Sequence, residues 1–376
     1  MLIGLDGIPL TEQRTGVGNY TSELARALAA ARPADEFELI APKPYSEEIS
    51  LEARPRNLRT ISFHPHLIGR RWWAIGLPSY LRRNAIALFH GTNFEVPLRG
   101  QVPAVMTIHD LSLLRHSSMH AARAVWRSRL RLPLMTRKAT MIITPSDSVR
   151  DEVCEHLNID RSRVTAIPLA PSARFKPLKE SETAATLERL SIEDRFLLFV
   201  GTIEPRKNLL TLIRAFEELL RTTELRPQLV IAGKMGWKTN EFRSYIGKSP
   251  GADRIRVTGY LSNEELRALY SSCSAFVYPS IHEGFGLPPL EAMACGAPVI
   301  ATRVPSLMTA SQTVARIVSA ENVNDITAAL VELLSDKGLR DTLKEGGLLH
   351  AAGFSWDRTA ALTSAVYEEA MKRAKR

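Results

Sequence analysis

The chain has 376 residues, 45% of them hydrophobic and 24% charged. That balance excludes disordered, collagen-like and low-complexity architectures, and the length suits two domains at roughly 100–200 residues each. The net charge of +9 is concentrated: residues 61–140 hold twelve Arg/Lys against two acids, Glu95 and Asp110, while the rest of the chain is near neutral. Such a segment attracts phosphate-bearing partners.

The N-terminus reads as a first strand, Leu2–Asp6, because it lacks the basic flank and long apolar stretch of a signal peptide. Thr15-Gly16-Val17-Gly18 follows, between that strand and a helical pattern over Asn19–Ala31. This Gly-x-Gly lacks the third glycine of the dinucleotide fingerprint. Bare backbone at Gly16 and Gly18 still permits close approach to a phosphate. Further apolar runs at Phe37–Ala41, Ala85–His90, Ala104–His109, Met141–Pro145 and Val164–Pro168 read as strands. His90 and His109 stand at strand ends, where an imidazole can donate to a sugar or carry a proton; a lone histidine is as often structural.

The basic segment mixes indoles with guanidinium groups, in Arg70-Arg71-Trp72-Trp73 and around Trp126. Arg123, Arg127 and Arg131 share one helix face, and Trp126, Leu130 and Leu134 form an apolar stripe. Two readings stand: an ordinary surface helix with its apolar stripe packed inward, or a helix that meets an anionic membrane interface. No nucleic-acid module is present.

The strand series breaks over residues 171–193, which are turn-rich and then polar. The domain boundary is expected there, with an N-terminal domain of 1–185 and a C-terminal domain of 186–355. A second series follows: Phe196–Gly201, Gln228–Gly233, Ile255–Gly259, Ala275–Pro279 and Pro298–Ala301, with helical patterns at Leu209–Leu220 and Glu264–Tyr270. Strand–helix alternation on this scale predicts an α/β protein of two doubly wound, Rossmann-like halves. Ligands of open α/β sheets bind at the carboxyl ends of the strands, so a cleft between the halves is the expected active site.

Two motifs in the second half carry chemistry. In Gly201-Thr-Ile-Glu204-Pro-Arg206-Lys207-Asn208, a strand gives way to a helix. Arg206 and Lys207 stand at the helix start, where cations oppose the dipole unless an anion offsets them. In Glu283-Gly284-Phe285-Gly286-Leu287, a strand runs into a glycine-bearing loop, and a helix begins near Leu287 or Pro288. That is an anion site in outline, suited to a diphosphate. Glu283 and Glu291 accept hydrogen bonds only, so each could hold a pair of sugar hydroxyls. No Asp-x-Asp, metal-spaced His/Cys cluster, Walker loop or Gly-x-Ser-x-Gly elbow occurs. The three cysteines, Cys154, Cys273 and Cys295, are widely spaced and suit a reducing compartment. Phosphate charge therefore falls to Arg, Lys and backbone amides, and neither a metal ion nor a cofactor is expected.

These residues resemble the retaining, nucleotide-sugar-dependent glycosyltransferases of family 4, which have the GT-B fold. The likeness spans nearly the whole chain, through Thr15–Gly18, His109-Asp110, Pro145-Ser146, Gly201–Asn208, Gly259-Tyr260-Leu261, Glu283–Glu291 and Phe354-Ser355-Trp356. Gly201–Asn208 looks most like the bacterial mannosyltransferases that build O-antigen and other surface polysaccharides. The resemblance implies two Rossmann-like domains facing across a cleft, with the final helix, 356–376, packing back on the N-terminal domain. It implies that Glu283 contacts the donor hexose, with the amides of Gly284, Phe285, Gly286 and Leu287 near sugar and phosphates. Glu291 would hold the ribose, Arg206 and Lys207 would neutralise the diphosphate, and Gly16 would contact it from the N-terminal domain beside Gly18. His109 would hydrogen-bond the transferred sugar, and Tyr260 and Leu261 would lie by the nucleobase, with Gly201 at the turn before the cations.

The implied reaction moves a hexose, with mannose from a GDP-sugar expected first, to a lipid-linked saccharide with retention. A UDP-, ADP- or dTDP-sugar is the alternative donor. The protein would be cytoplasmic and peripheral on the inner membrane face through residues 61–140. Two rival readings are another enzyme class on the same fold, such as an epimerase or phosphorylase, and a non-catalytic protein that binds anionic lipid or nucleic acid. One segment departs from the family pattern: Pro305-Ser306-Leu307-Met308 onward lacks the usual acid and glycine turn.

Overall fold

The computed structural model describes residues 1–13, 16–45, 55–63, 71–308 and 311–375; Thr15 and Arg70 of the motifs above lie outside them. The chain divides into two compact units. Residues 1–115, 123–169 and 355–376 form the first, and residues 116–122 and 170–354 the second.

The first unit is built on a parallel sheet of seven strands: β1 (Leu2–Asp6), β2 (Glu36–Ala41), β3 (Leu58–Ser62), β4 (Leu88–Gly91), β5 (Ala104–Thr107), β6 (Met141–Thr144) and β7 (Val164–Ala166). Their order is β3-β2-β1-β4-β5-β6-β7. The order reverses at β1, where Ile3 is flanked by Phe37 on one side and Leu88 on the other. The second unit has six parallel strands: β8 (Phe196–Val200), β9 (Gln228–Ala232), β10 (Ile255–Gly259), β11 (Ala275–Tyr278), β12 (Val299–Ala301) and β13 (Arg316–Ile317). Their order, β10-β9-β8-β11-β12-β13, reverses at β8. Central strands are continuous apolar runs because helices cover both faces. Phe196 to Val200 are all buried.

Each expected strand is present. β3 and β13 add to the expected set: β3 alternates only weakly in burial and β13 is two residues long, so neither carries a clear apolar run. The strand expected at Ala85 begins instead at Leu88, because Ala85 is a left-handed turn residue (φ 51°) closing the helix Leu77–Arg83. The first helix runs Gly16–Ala31, so Gly16 and Gly18 form its first turn and not the loop before it. The stretch expected to hold the domain boundary contains the helix Glu180–Leu190, which packs in the second unit against the helix Asn263–Ser272. The change of unit falls earlier, at Leu169/Ala170.

The final helix, Trp356–Ala374, packs within the first unit along Gly16–Ala31. A buried polar chain ties it to the sheet. The hydroxyl of Tyr367 meets Nδ1 of His90 at 2.7 Å, His90 Nε2 meets Thr107 Oγ1 at 2.8 Å, and Thr107 Oγ1 meets the Tyr20 hydroxyl at 2.9 Å. Burial pushes His90 down to about 3, so it is neutral and both ring nitrogens serve the network. His90 is thus a structural residue.

Asp6, at the end of β1, is buried and accepts from the amide of Ile8 at 3.0 Å. Burial pushes its carboxyl up to about 7. The folded chain holds this proton until about pH 7, whereas the unfolded chain releases it near the ordinary aspartate value of 3.8. Stability therefore falls as pH rises between those values, by on the order of 4 kcal/mol, and then levels off. Asp6→Asn is expected to carry no such loss, so its melting temperature relative to wild type should rise from pH 4 to pH 8. A difference that stays flat with pH would refute the assignment.

Candidate functional site

In the second unit, the two chemistry-bearing motifs leave adjacent strands at the reversal of strand order. β8 ends at Val200 and leads through Gly201 to a short 3-10 turn, Pro205–Lys207, before the helix Leu209–Thr222. β11 ends at Tyr278 and leads to the loop that precedes the helix Leu287–Ala294. The two loops are stitched together. Ile281 N donates to Arg206 O at 3.0 Å, and Asn208 Nδ2 donates to Pro279 O at 3.2 Å and to Ala320 O at 2.6 Å. Asn208 itself takes the left-handed conformation (φ 58°), which turns the chain into the helix.

The stitching brings Arg206, Lys207 and Glu283 into one buried cluster. Lys207 Nζ donates to Glu283 Oε1 at 2.6 Å and to the Tyr278 hydroxyl at 2.7 Å, and lies 5.0 Å from that ring's centre. Arg206 Nη1 donates to Glu283 Oε2 at 2.9 Å and to His282 O at 2.8 Å. Its Nε and Nη2 donate to Glu204 Oε1 at 3.1 and 2.7 Å. The sequence suggests two basic residues awaiting an external anion; the structure supplies two carboxylates from the chain itself. Two cations and two carboxylates close the cluster with no net formal charge.

Burial alone would push the Glu283 carboxyl up, but the charges of Lys207 and Arg206 and their hydrogen bonds outweigh it and hold it down at about 2. Burial pulls Lys207 down, opposed by Glu283. Burial pushes Glu204 up, opposed by Arg206 and Lys207. Glu204, Tyr278 and Asn208 thus join the site without having been singled out. The only signal for Glu204 was an acid two residues before Arg206 in the same loop.

The glycine loop is shaped from behind. Gly286 is left-handed (φ 93°), and a Cβ there would lie 2.7 Å from Val304 Cγ2 and 3.0 Å from Ser306 Oγ. Ser306 N donates to Phe285 O at 2.8 Å and its hydroxyl to Gly286 O at 2.9 Å. His350 Nε2 in turn donates to Ser306 O at 2.8 Å, since a carbonyl can only accept. Pro288 and Pro289 carry no N–H, so the donors at this helix start reduce to the amides around Gly286 and Leu287. Phe285 is buried, its ring 6.0 Å from that of Phe354. Glu291 is buried rather than solvated and accepts from the Tyr270 hydroxyl at 3.4 Å. Tyr260, at the end of β10, is exposed, and Leu261 is buried.

In the first unit, Gly16 opens its helix, and a Cβ there would meet nothing within 4 Å. His109 follows β5, stacked edge-on to Tyr20 at 4.8 Å. Its Nε2 donates to Thr92 O at 2.8 Å. Burial pulls its pKa down, so the ring is neutral with the proton on Nε2, leaving Nδ1 as an acceptor. The expected donor role is therefore already taken by Thr92. Among the described residues, no group of three His, Cys, Asp or Glu side chains is placed to hold a metal ion.

Comparison with known proteins places this architecture. Residues 186–349 match the family Glycosyl transferases group 1, and residues 14–170 match Glycosyltransferase Family 4. The O-antigen chain mannosyltransferase B of Escherichia coli is 31% identical over 96% of this chain and 97% of its own. The serotype-specific mannosyltransferase WbdA of Escherichia coli is 36% identical over 60% of this chain and 28% of that protein. Sucrose-phosphate synthase from Thermosynechococcus elongatus superposes with a TM-score of 0.78 at 21% identity, covering 98% of each chain. The chain belongs to the family 4 glycosyltransferases, and its two Rossmann-like, parallel-sheet domains are those of the GT-B fold.

Gly286→Ala is expected to cost ~2–4 kcal/mol, from the left-handed backbone and the clash with Val304. Gly16→Ala should leave stability unchanged or raise it by up to ~1 kcal/mol, because its Cβ is unopposed in a helix. Urea unfolding of the two variants checks the contrast, and equal losses would show that the Gly286 geometry is wrongly described.

Proposed function

We propose that the chain transfers mannose from a GDP-sugar to a lipid-linked saccharide in surface-polysaccharide assembly, with retention of configuration and without a metal ion. Two relatives support the sugar: both are named mannosyltransferases, and one of them acts on the O-antigen chain. One observation carries the chemistry, the buried Arg206–Lys207–Glu283 cluster at the reversal of strand order.

On this reading the donor diphosphate takes over Arg206 and Lys207 from Glu283. The carboxylate then turns to a hydroxyl of the hexose, and the loop amides from Gly284 to Leu287 meet the phosphates. The bond between the anomeric carbon and the diphosphate oxygen breaks, and its electron pair stays on that oxygen. Cations fixed in a desolvated site stabilise this charge as it grows, and need no reorganisation to do so. The acceptor hydroxyl attacks from the face the diphosphate leaves, and its proton passes to the departing phosphate. Glu204 holds the Arg206 guanidinium in place throughout. Glu291 binds the ribose and Tyr260 lies by the base, while His109 offers Nδ1 to a sugar hydroxyl and Gly16 leaves its backbone open to a ligand.

The protein is proposed to work at the cytoplasmic face of the membrane that carries its acceptor. Among the described residues, no helix is long and apolar enough to cross a membrane. A second reading concerns the donor. The segment that departs from the family pattern includes Ser306, which supports Gly286 directly, so a different base or sugar is the alternative there.

Thermal-shift measurements with GDP, UDP, ADP and dTDP sugars identify the donor, because a ligand of the folded state raises apparent stability by mass action. GDP-mannose should give the largest shift and support transfer that survives EDTA. Lys207→Ala should lose nucleotide binding. Glu283→Gln should bind GDP at least as well as wild type, having lost the internal competitor, while transfer falls by about 10²–10³. Transfer at the wild-type rate by both variants, or its abolition by EDTA, would refute the proposed mechanism.

A further inference from the structure

The helix Ala122–Lys138 carries six cations and no acid. Its buried residues are Val125, Leu132, Met135 and Thr136. The apolar stripe is therefore not the core face: Trp126, Leu130 and Leu134 are 66%, 52% and 52% exposed. Trp72, by contrast, is buried in the core, with Trp73 packed against it. Of the three indoles in the basic segment, Trp126 alone is largely exposed.

Four residues beyond Leu134 in the same series is Lys138, which lines a cavity of about 760 Å³. This cavity lies at the amino ends of β4 and β5, between Ile86 and Ala104, at the opposite edge of the sheet from His109. Its apolar lining includes Ile75, Ile86 and Val102, and its charged lining is Arg82, Arg99 and Lys138. Among the described residues, no carboxylate lines it. None of the three cations has a carboxylate within ion-pair distance among the described residues.

We infer that this face of the first unit docks on an anionic phospholipid surface, with Trp126, Leu130 and Leu134 at the headgroup–acyl boundary and a lipid phosphate in the Arg82–Arg99–Lys138 cavity. An exposed indole and two leucines on a helix with no acid suit an interfacial helix. Two guanidinium groups and an ammonium above an apolar wall match a phosphodiester joined to hydrocarbon. A soluble phosphate would use the cations but leave the apolar wall and the exposed stripe wet. The inference rests on the reading of a lipid-linked acceptor, and it adds a lipid site remote from the strand ends that hold His109.

Flotation of the full chain with vesicles of phosphatidylcholine, alone or mixed with phosphatidylglycerol, tests it. Wild type should bind the anionic vesicles and not the neutral ones. Arg82→Glu combined with Arg99→Glu should weaken binding by tenfold or more, at about a fivefold loss per cation removed from the surface. Lys138→Ala should give a smaller loss, and Trp126→Ala combined with Leu130→Ala should also lose binding. Every variant should keep the wild-type melting shift with GDP, which shows that it is folded. Anionic vesicles bound equally well by the Arg82/Arg99 variant would overturn the cavity assignment. Glycerol phosphate bound by wild type without vesicle binding would assign the cavity to a soluble anion and overturn the lipid reading. Vesicle binding in a chain that shows no nucleotide shift would leave this inference standing and sink the donor proposal instead.

Discussion

Burying an ion pair is expensive: each charge loses several kcal/mol of hydration, and only close geometry with further hydrogen bonds recovers it. Glu283 lies largely buried between Arg206 and Lys207, its side chain 9% exposed, and each of its oxygens accepts from one of them. Tyr278 and Glu204 satisfy what the cations have left over. The carboxylate stays ionised although burial pushes it the other way. The positive charge of such a cluster is fixed by the fold and little screened by water. The cluster also has a built-in exchange: whatever displaces Glu283 from the cations must itself be anionic, or leave them buried without a counter-charge.

The remainder of the second unit serves this geometry. Arg206 and Glu283 are far apart in sequence, and only the sheet order that puts β8 beside β11 makes their loops neighbours. Asn208 fastens the first loop to the second, and Ser306 with Val304 fixes the backbone of Gly286. His350 holds Ser306 from the next layer outward. The segment from Pro305 onward departs from the family pattern in sequence, and yet its Ser306 performs this support, so its side chains have to be read by what they touch.

What was legible in the sequence was local. The central strands announced themselves as apolar runs, and the two loops as glycine and proline patterns whose backbone demands are met within a few residues. Strands β3 and β13 were silent, since β3 alternates only weakly in burial and β13 is two residues long. The pairing of Arg206 with Glu283 was also silent, because helix-dipole reasoning sees the residues around a helix start and not a carboxylate arriving from the next strand. For His109 the type and position were readable, but its protonated nitrogen depends on a carbonyl at Thr92. His90 stood at a strand end just as His109 did. The partner that makes it structural, Tyr367, is contributed by the last helix of the chain.

The helix Ala122–Lys138 shows the same limit from the opposite side. Two apolar stripes were available to the fold, one through Val125, Leu132 and Met135 and one through Trp126, Leu130 and Leu134. Periodicity cannot rank them, since both recur at helical spacing. Side-chain volume would favour burying the second, which carries the indole. The fold buries the first, where the helix joins a core with Met106, Ile142 and Val149. The larger stripe is left outside, on a helix without a single acid and next to a cavity whose cations have no carboxylate within ion-pair distance among the described residues. Exposing an indole and two leucines forfeits several kcal/mol of burial, which a surface able to receive both apolar side chains and positive charge would recover.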